Sequence, residues 1–74
     1  MRHYIAHTDD GHDYGAFVYA SDHRAGSRAN YEDALAAASR KYGALARHMA
    51  IVSVARCDAY GNEAGATVPA RKFW

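Results

Sequence analysis

Two short stretches near the start of the chain carry the kinds of apolar residue that favour β-strands and are bounded by turn residues. The first runs from residue 2 to residue 7. The second, from 14 to 20, is rich in aromatic and β-branched side chains. The polar run Asp9-Asp10-Gly11 between them favours a turn. We therefore expect a β-hairpin whose loop has about five or six residues.

An alanine-rich stretch further along has the 3.6-residue periodicity of an amphipathic helix. Asn30 suits the N-cap, because its side-chain oxygen accepts hydrogen bonds from the unpaired amides of a first turn. Gly43 suits the position just after a helix. The pattern thus predicts a helix from Tyr31 to Tyr42. The stripe expected to pack on the sheet consists of Tyr31, Leu35, Ala38 and Tyr42.

A dense run of β-branched residues at 49–57 predicts a third strand. Its faces are expected to carry Val52 and Val54 on one side and Ile51, Ser53 and Cys57 on the other. Residues 66–74 are expected to form either a short fourth strand, at 66–68, or a mobile tail. The order β-β-α-β(-β) predicts a single α+β domain over residues 1–74. We expect a two-layer sandwich, with an antiparallel sheet in the order 2-1-3 and one helix on one face.

Composition and charge exclude several classes of protein. The single cysteine, Cys57, excludes an intramolecular disulfide and zinc sites built on two or more cysteines. No stretch approaches the roughly 20 apolar residues of a membrane span, and the first residues lack the apolar core of a secretory signal. We therefore expect a cytoplasmic protein that makes no membrane contact. The formal charge of +1 on 74 residues argues against a strong nonspecific DNA binder.

Two loops carry side chains with candidate chemistry. The loop from His7 to Asp13 offers histidine and carboxylate ligands, but it matches no established metal-binding spacing and is interpreted as a polar loop. The loop from Arg24 to Asn30 carries two arginines just before a helix, where amides and guanidinium groups are able to hold a phosphate or a carboxylate. Capping of the helix by this loop, with solvated arginines, is the simpler interpretation. We predict no metal and no cofactor.

The sheet face away from the helix offers two further alternatives. It is expected to serve as a dimer contact, or as an aromatic platform that stacks single-stranded bases. The residues of such a platform would be Tyr4, Phe17 and Tyr19, with Arg2 and Arg56 nearby. The same aromatic side chains also suit a hydrophobic core, and this interpretation is favoured. Cys57 is interpreted as a small buried apolar residue, and no arrangement of residues predicts an enzyme.

The segment Ala20–Ala34, ASDHRAGSRANYEDA, resembles stretches in short reading frames of bacteriophages and prophages. The layout of the whole chain is similar to that of small phage accessory proteins of the anti-CRISPR kind. This resemblance implies a compact α/β domain without cofactors that docks on a host complex and blocks it. Many such inhibitors are acidic mimics of nucleic acid, and a chain with a net charge of +1 departs from that pattern.

The leading functional hypothesis is therefore a non-enzymatic binding protein that docks on a host protein complex and inhibits it. Tyrosine and arginine dominate the binding energy of protein interfaces. The predicted partner-binding residues are accordingly Arg24, Arg28, Arg40 and Tyr19. The alternatives are a nucleic-acid-binding domain, which uses the arginine loop or the aromatic face, and a homodimeric structural module.

Overall fold

A computed structural model describes residues 1–9 and 15–74 of the chain. Within them the elements are β1 (Arg2–Thr8), β2 (Ala16–Ser21), α1 (Arg28–Tyr42), the 3₁₀ helix η1 (Gly43–His48), β3 (Ile51–Cys57), β4 (Val68–Pro69) and the 3₁₀ helix η2 (Arg71–Phe73). The described strands form an antiparallel sheet in the order β2-β1-β3-β4. The predicted α+β class and the strand order are confirmed. Most of the candidate metal loop lies outside the described residues.

The sheet face that packs against α1 holds the hydrophobic core. Tyr4 lies opposite Tyr19, and Ala6 lies opposite Phe17, so these four side chains share one face. All four are buried, and the rings of Tyr4 and Tyr19 stack with their centroids 5.6 Å apart. The aromatic residues of the first two strands therefore belong to the core. No base-stacking platform can be built from them.

An irregularity in β3 changes which of its residues face the core. His7 pairs with Ser53, but the next residue of β1, Thr8, pairs with Ile51, so that Val52 is an extra residue at this point. Ile51 thereby joins Val54 in the buried core. The expected alternation, which set these two residues on opposite faces, is wrong, because a two-residue period does not continue across a bulge.

α1 begins earlier than predicted, at Arg28, because its N-cap is Ser27. The Ser27 hydroxyl accepts a hydrogen bond from the backbone N–H of Asn30 at 3.2 Å. Asn30 is itself buried in the first turn. Its Oδ1 accepts from the Tyr19 hydroxyl at 2.6 Å, and its Nδ2 donates to the carbonyl of His23 at 2.8 Å. Serine and asparagine both suit an N-cap. Because the side chain of Asn30 is engaged by Tyr19 and His23 in the interior, the cap is Ser27 and not Asn30.

The buried stripe of α1 is also shifted from the predicted one. Its buried residues are Asn30, Tyr31, Ala34 and Ala38. Leu35 is 39% exposed, and Tyr42 is partly buried with its ring edge-on to Phe17 at a centroid distance of 5.9 Å. Because Asn30 is anchored in the core, the residue one turn later, Ala34, faces the sheet and Leu35 lies at the rim.

The face opposite α1 is partly covered by the connection between β3 and β4. This face carries Ile5 and Val18, which pair with each other. A Cβ on Gly61 would lie 3.3 Å from Cγ2 of Val18, so the connection touches β2. Glu63 Oε1 lies 2.9 Å from Nε2 of His7 in β1. The dimer contact expected on this face stays a prediction.

The last described segment is anchored along β3. β4 begins two residues later than the expected strand at 66–68, and Val68 pairs with Val54. Ala70, just after β4, is buried. The indole Nε1 of Trp74 donates to the carbonyl of Ile51 at 2.8 Å. Of the two expected conformations, the segment therefore adopts the short strand, at Val68–Pro69, and it continues as the 3₁₀ helix η2, at Arg71–Phe73.

Replacing Ser27 by alanine is expected to lower the free energy of unfolding by about 1 kcal/mol, because the first turn of α1 loses its side-chain cap. Chemical denaturation monitored by circular dichroism measures this loss. Ser39→Ala is the matched control, since Ser39 is exposed within the same helix and is expected to change stability by less than about 0.5 kcal/mol. Equal losses in the two variants would contradict the assigned cap.

Candidate functional site

The structure separates the four residues predicted to bind a partner. Tyr19 is 4% exposed and belongs to the core, so it offers no surface to a partner. Arg40 lines a groove of about 290 Å³ that also contains two aspartates. The guanidinium of Arg28 lies over the ring of Phe73, 5.3 Å from its centroid. Arg24 lines a different groove, in which it meets two other arginines.

This second groove, which we call the arginine groove, is an open depression of about 470 Å³. Arg2, Arg24 and Arg56 line it. The rest of its lining comes from apolar side chains and from the small residues of segment 64–66. The groove thus combines three cationic side chains with an apolar floor, and no carboxylate lines it among the described residues.

The register of the sheet brings Arg2 and Arg56 together. Arg56 pairs directly with Tyr4, and Arg2 lies two residues before Tyr4, so both arginines lie on the same sheet face as that ring. Diagonal neighbours on one face of an antiparallel pair are about 7–8 Å apart. Segment 64–66 runs alongside, because a Cβ on Gly65 would lie 3.7 Å from the Cβ of Arg56. Strand pairing alone therefore sets two of the three cations next to each other.

Arg24 reaches the groove from the loop between β2 and α1. The carbonyl of Arg24 accepts hydrogen bonds from Ser27, at 2.7 Å from the hydroxyl and at 3.3 Å from the backbone N–H. Gly26 has φ +90°, and a Cβ at this position would lie 3.1 Å from Cγ1 of Val68. Glycine therefore lets the loop approach β4 closely. These contacts hold the backbone that carries Arg24 against the edge of the groove.

The buried network behind the loop supports the same position. Tyr19 donates to Asn30, and Asn30 in turn donates to the carbonyl of His23, the residue just before Arg24. Burial raises the pKa of Tyr19 well above its usual range, so its hydroxyl remains a donor. Two residues later in β2, the hydroxyl of Ser21 donates to Asp33 Oδ2 at 2.6 Å. Tyr19 therefore supports the groove from below and does not face a partner.

The three guanidinium groups are available to an external anion. The ion pairs found among the described residues join the N-terminal amine to Asp22 and His7 to Glu63, and they leave Arg2, Arg24 and Arg56 without a carboxylate partner. A guanidinium presents five donors in a rigid plane that matches the oxygens of carboxylate and phosphate groups. The groove therefore offers donors that suit an anionic group.

A separate set of cations and rings, which we call the basic–aromatic cluster, consists of Arg28, Arg71, Lys72, Phe73 and Trp74. Arg28 and Lys72 lie 5.3 and 5.1 Å from the centroid of the Phe73 ring, and Arg71 lies 5.3 Å from that of Trp74. Trp74 is 59% exposed. The sequence marks this cluster as a basic and aromatic segment, but only the packing adds Arg28 to it.

Cys57 is buried, as expected, and it is not a reactive thiol. Its side chain is 7% exposed. Burial raises the pKa of the Cys57 thiol, and the carboxylates of Asp58 and Glu63 raise it further. We expect alkylation by iodoacetamide at neutral pH to be at least about tenfold slower in the native protein than in denaturant. A native rate equal to the unfolded rate would contradict this burial.

No group of three or more histidine, cysteine, aspartate or glutamate side chains is placed to hold a metal ion in residues 1–9 and 15–74. The part of the candidate metal loop from residue 10 onwards lies outside these ranges. In the same described part of the chain, no helix has the length and apolar character needed to cross a membrane.

No protein-family model, curated protein or solved structure matches the chain. What the arginine groove binds is therefore inferred from its own side chains.

Proposed function

We propose that this protein is a small binding domain that docks on a partner protein and holds an acidic segment of that partner in the arginine groove. The observation that carries the proposal is the meeting of Arg2, Arg24 and Arg56 in one groove, without carboxylate partners among the described residues. Arginine is enriched among the residues that dominate protein interfaces, and it binds carboxylates through paired hydrogen bonds.

The floor of the groove supports a peptide as the bound chain. Ala25 and Val68, which are only partly buried, give the groove apolar surface between its cations. An extended segment that carries both acidic and apolar side chains is able to pair the first with the arginines and to pack the second on the apolar surface. The loop that carries Arg24 is already held by hydrogen bonds, so binding does not have to order its backbone.

We further propose that docking inhibits the partner, a host protein complex in the bacterial cytoplasm. The support for this step is the resemblance of Ala20–Ala34 to segments of small phage proteins that act by blocking host complexes. Arg24 lies inside this segment and lines the groove. Inhibition then follows if the acidic segment that the groove covers is one that the partner needs for its own activity.

Binding of single-stranded nucleic acid is the second candidate, and the basic–aromatic cluster favours it. Trp74 is exposed with Arg71 over its ring, and Arg28 and Lys72 lie over the ring of the preceding residue, Phe73. An aromatic ring among cations is the usual platform for a stacked base. The two candidates use different residues. They also differ in salt dependence, since each phosphate contact releases counterions and makes affinity fall steeply as salt rises.

Fluorescence anisotropy with two labelled probes separates the candidates. One probe is a short peptide in which aspartate and valine alternate, and the other is a short oligothymidine. An exposed ion pair contributes up to about 1 kcal/mol, so single substitutions change little and arginines must be replaced in pairs. We expect Arg24→Gln/Arg56→Gln to weaken peptide binding at least about tenfold.

The matched control is Arg40→Gln/Lys41→Gln, which removes the same charge from exposed positions on α1. We expect it to change peptide affinity less than about threefold. Equal losses in the two double variants would show that only net charge matters and would refute the groove. If the protein binds the oligothymidine tightly and Arg28→Gln/Lys72→Gln abolishes this binding, the result would favour the second candidate, which is binding of single-stranded nucleic acid.

A further inference from the structure

The strand β2 lies at one edge of the sheet that the described residues form. The backbone N–H of Thr8 donates to the carbonyl of Gly15, so these two residues are a hydrogen-bonded pair of the antiparallel ladder. Because such pairs alternate along the register, the odd-numbered residues of β2 point their backbone groups towards β1. The even-numbered residues, which are Ala16, Val18 and Ala20, therefore point three N–H and three C=O groups away from the sheet.

These outward backbone groups have no hydrogen-bond partner among residues 1–9 and 15–74. Proteins usually protect an edge strand by a proline, a charged side chain, a bulge or a short length. The opposite edge follows this rule, since β4 has only two residues and one of them is Pro69. β2 has six residues, none of which is proline or charged, and its pairing with β1 is regular. The edge of β2 is therefore open to another strand.

One side of α1, which we call the edge stripe, lies beside this open edge. It consists of Asp33, Ala36, Ala37 and Arg40, whose spacing sets them on one side of a helix. α1 packs on β2, and Oδ2 of Asp33 accepts a hydrogen bond from the hydroxyl of Ser21. Ala36 and Arg40 are exposed and line the same groove as Ala20, which is one of the outward residues of β2. The surface beside the open edge is thus a pair of alanines between an acidic and a basic side chain.

The edge stripe is complementary to itself across a two-fold axis. Such an axis reverses the direction of α1 in a second copy, which brings Asp33 of each copy towards Arg40 of the other. The two alanines lie between these charges and let the helices approach closely. Opposite charges across a contact favour association, and β2 brings no charge of its own to oppose it.

We propose that a second copy of this chain pairs with β2 along its open edge, in a two-fold antiparallel contact that also joins the two edge stripes. Pairing centred on Val18 sets Ala16 opposite Ala20 of the second copy and gives every outward backbone group a partner. The two four-stranded sheets then form one continuous sheet, with both α1 helices on the same face. A strand of another protein would satisfy the same backbone groups, but a second copy also brings the matching edge stripe.

The proposed contact is separate from the arginine groove. No residue of β2 or of the edge stripe lines that groove. The proposal therefore does not depend on what the groove binds, and each copy in the dimer keeps its own groove.

Sedimentation velocity over a range of protein concentrations tests the proposal. We expect a particle of about twice the 8.1 kDa mass of the chain, with a dissociation constant in the micromolar range. Ala20→Pro removes an outward N–H that β1 does not use, so proline is tolerated there and we expect a folded monomer. Ala20→Val is the matched control, because it keeps the N–H and has a similar volume. It is expected to remain a dimer.

Charge reversal tests the edge stripe separately. Arg40→Glu sets an acidic side chain against Asp33 of the second copy and is expected to weaken dimerisation at least about tenfold. Lys41→Glu makes the same change of charge at the next residue, outside the edge stripe, and is expected to change the dissociation constant less than about threefold.

Three results would overturn the proposal. One is a wild-type protein that stays monomeric at about 100 µM. If that monomer binds a labelled peptide of alternating threonine and valine, and Ala20→Pro abolishes this binding, the occupant of the edge is a strand of another protein. Another is an Ala20→Pro variant that is folded by circular dichroism and still dimeric, since the contact would then lie elsewhere. The third is an equal effect of Arg40→Glu and Lys41→Glu, because only net charge would then matter.

Discussion

Phe17→Ala is expected to remove a large part of the free energy of unfolding of this protein. Phe17 is buried on the α1 face of β2 and contacts the rings of Tyr19 and Tyr42, with centroid distances of 6.1 and 5.9 Å. Truncating a buried phenylalanine costs about 3–5 kcal/mol. A domain of this length is stable by about 4–11 kcal/mol, so the loss removes a large part of the total. Urea denaturation followed by circular dichroism measures the difference.

Val18→Ala is the control for this prediction, because Val18 is the next residue of the same strand and points to the opposite face. It is only half-buried, against Gly61. Its truncation removes two methyl groups and is expected to cost no more than about 1.5 kcal/mol. If the two variants were equally destabilised, the assignment of the α1 face as the core would be wrong.

Asn30→Ala is expected to lower the free energy of unfolding by about 3 kcal/mol, although it removes only a small polar side chain. The substitution leaves the buried Tyr19 hydroxyl without its acceptor, and it takes the Asn30 donor away from the partly buried carbonyl of His23. Each unsatisfied buried group costs about 1–3 kcal/mol. Thermal and chemical denaturation measure the loss, and a change below about 0.5 kcal/mol would contradict the role of this network.

Tyr19→Phe completes a double-mutant cycle with Asn30→Ala. The single variant is expected to cost about 1–2 kcal/mol, because Asn30 Oδ1 loses its donor. The double variant is expected to lose less than the sum, since both changes break the same hydrogen bond. Strict additivity of the two losses would show that the side chains do not interact.

Tyr19 also makes stability depend on pH in the alkaline range. Burial raises the pKa of Tyr19 in the folded state, so the unfolded chain releases its proton first as the pH rises above about 10. In that range the unfolded state binds fewer protons, and the free energy of unfolding falls with increasing pH. Tyr19→Phe is expected to reduce this slope. An unchanged slope in the variant would show that the hydroxyl ionises freely in the folded protein.

The strands and the end of the helix follow from local pattern. Aromatic and β-branched content identifies β1, β2 and β3, and these strands pair in the expected order. Gly43 ends α1 where predicted, with φ 61° at its C-cap, because a glycine adopts positive φ without steric cost. Each of these features depends on residues that are neighbours along the chain, so it can be predicted from the sequence without knowledge of the tertiary contacts.

The candidate site was only partly visible in the sequence. The sequence predicts that Arg24 binds a partner. It also predicts that Arg2 and Arg56 lie near an aromatic platform that includes Tyr4. The structure keeps these three arginines in one groove and buries the aromatic rings beneath α1. The available signal was the antiparallel order 2-1-3, which sets the start of β1 against the end of β3.

Local patterns in the sequence are sufficient to predict the fold class, the strand order and the end of α1. Tertiary structure alone decided the start of α1 at Ser27, the bulge at Val52 and the meeting of Arg24 with the two strand arginines. The first set depends on period and turn chemistry within a few residues. The second set depends on contacts between segments that are distant in the sequence, such as the hydrogen bond from Tyr19 to Asn30. Several starting points of the helix have similar local energies, and such a contact in the folded chain selects one of them.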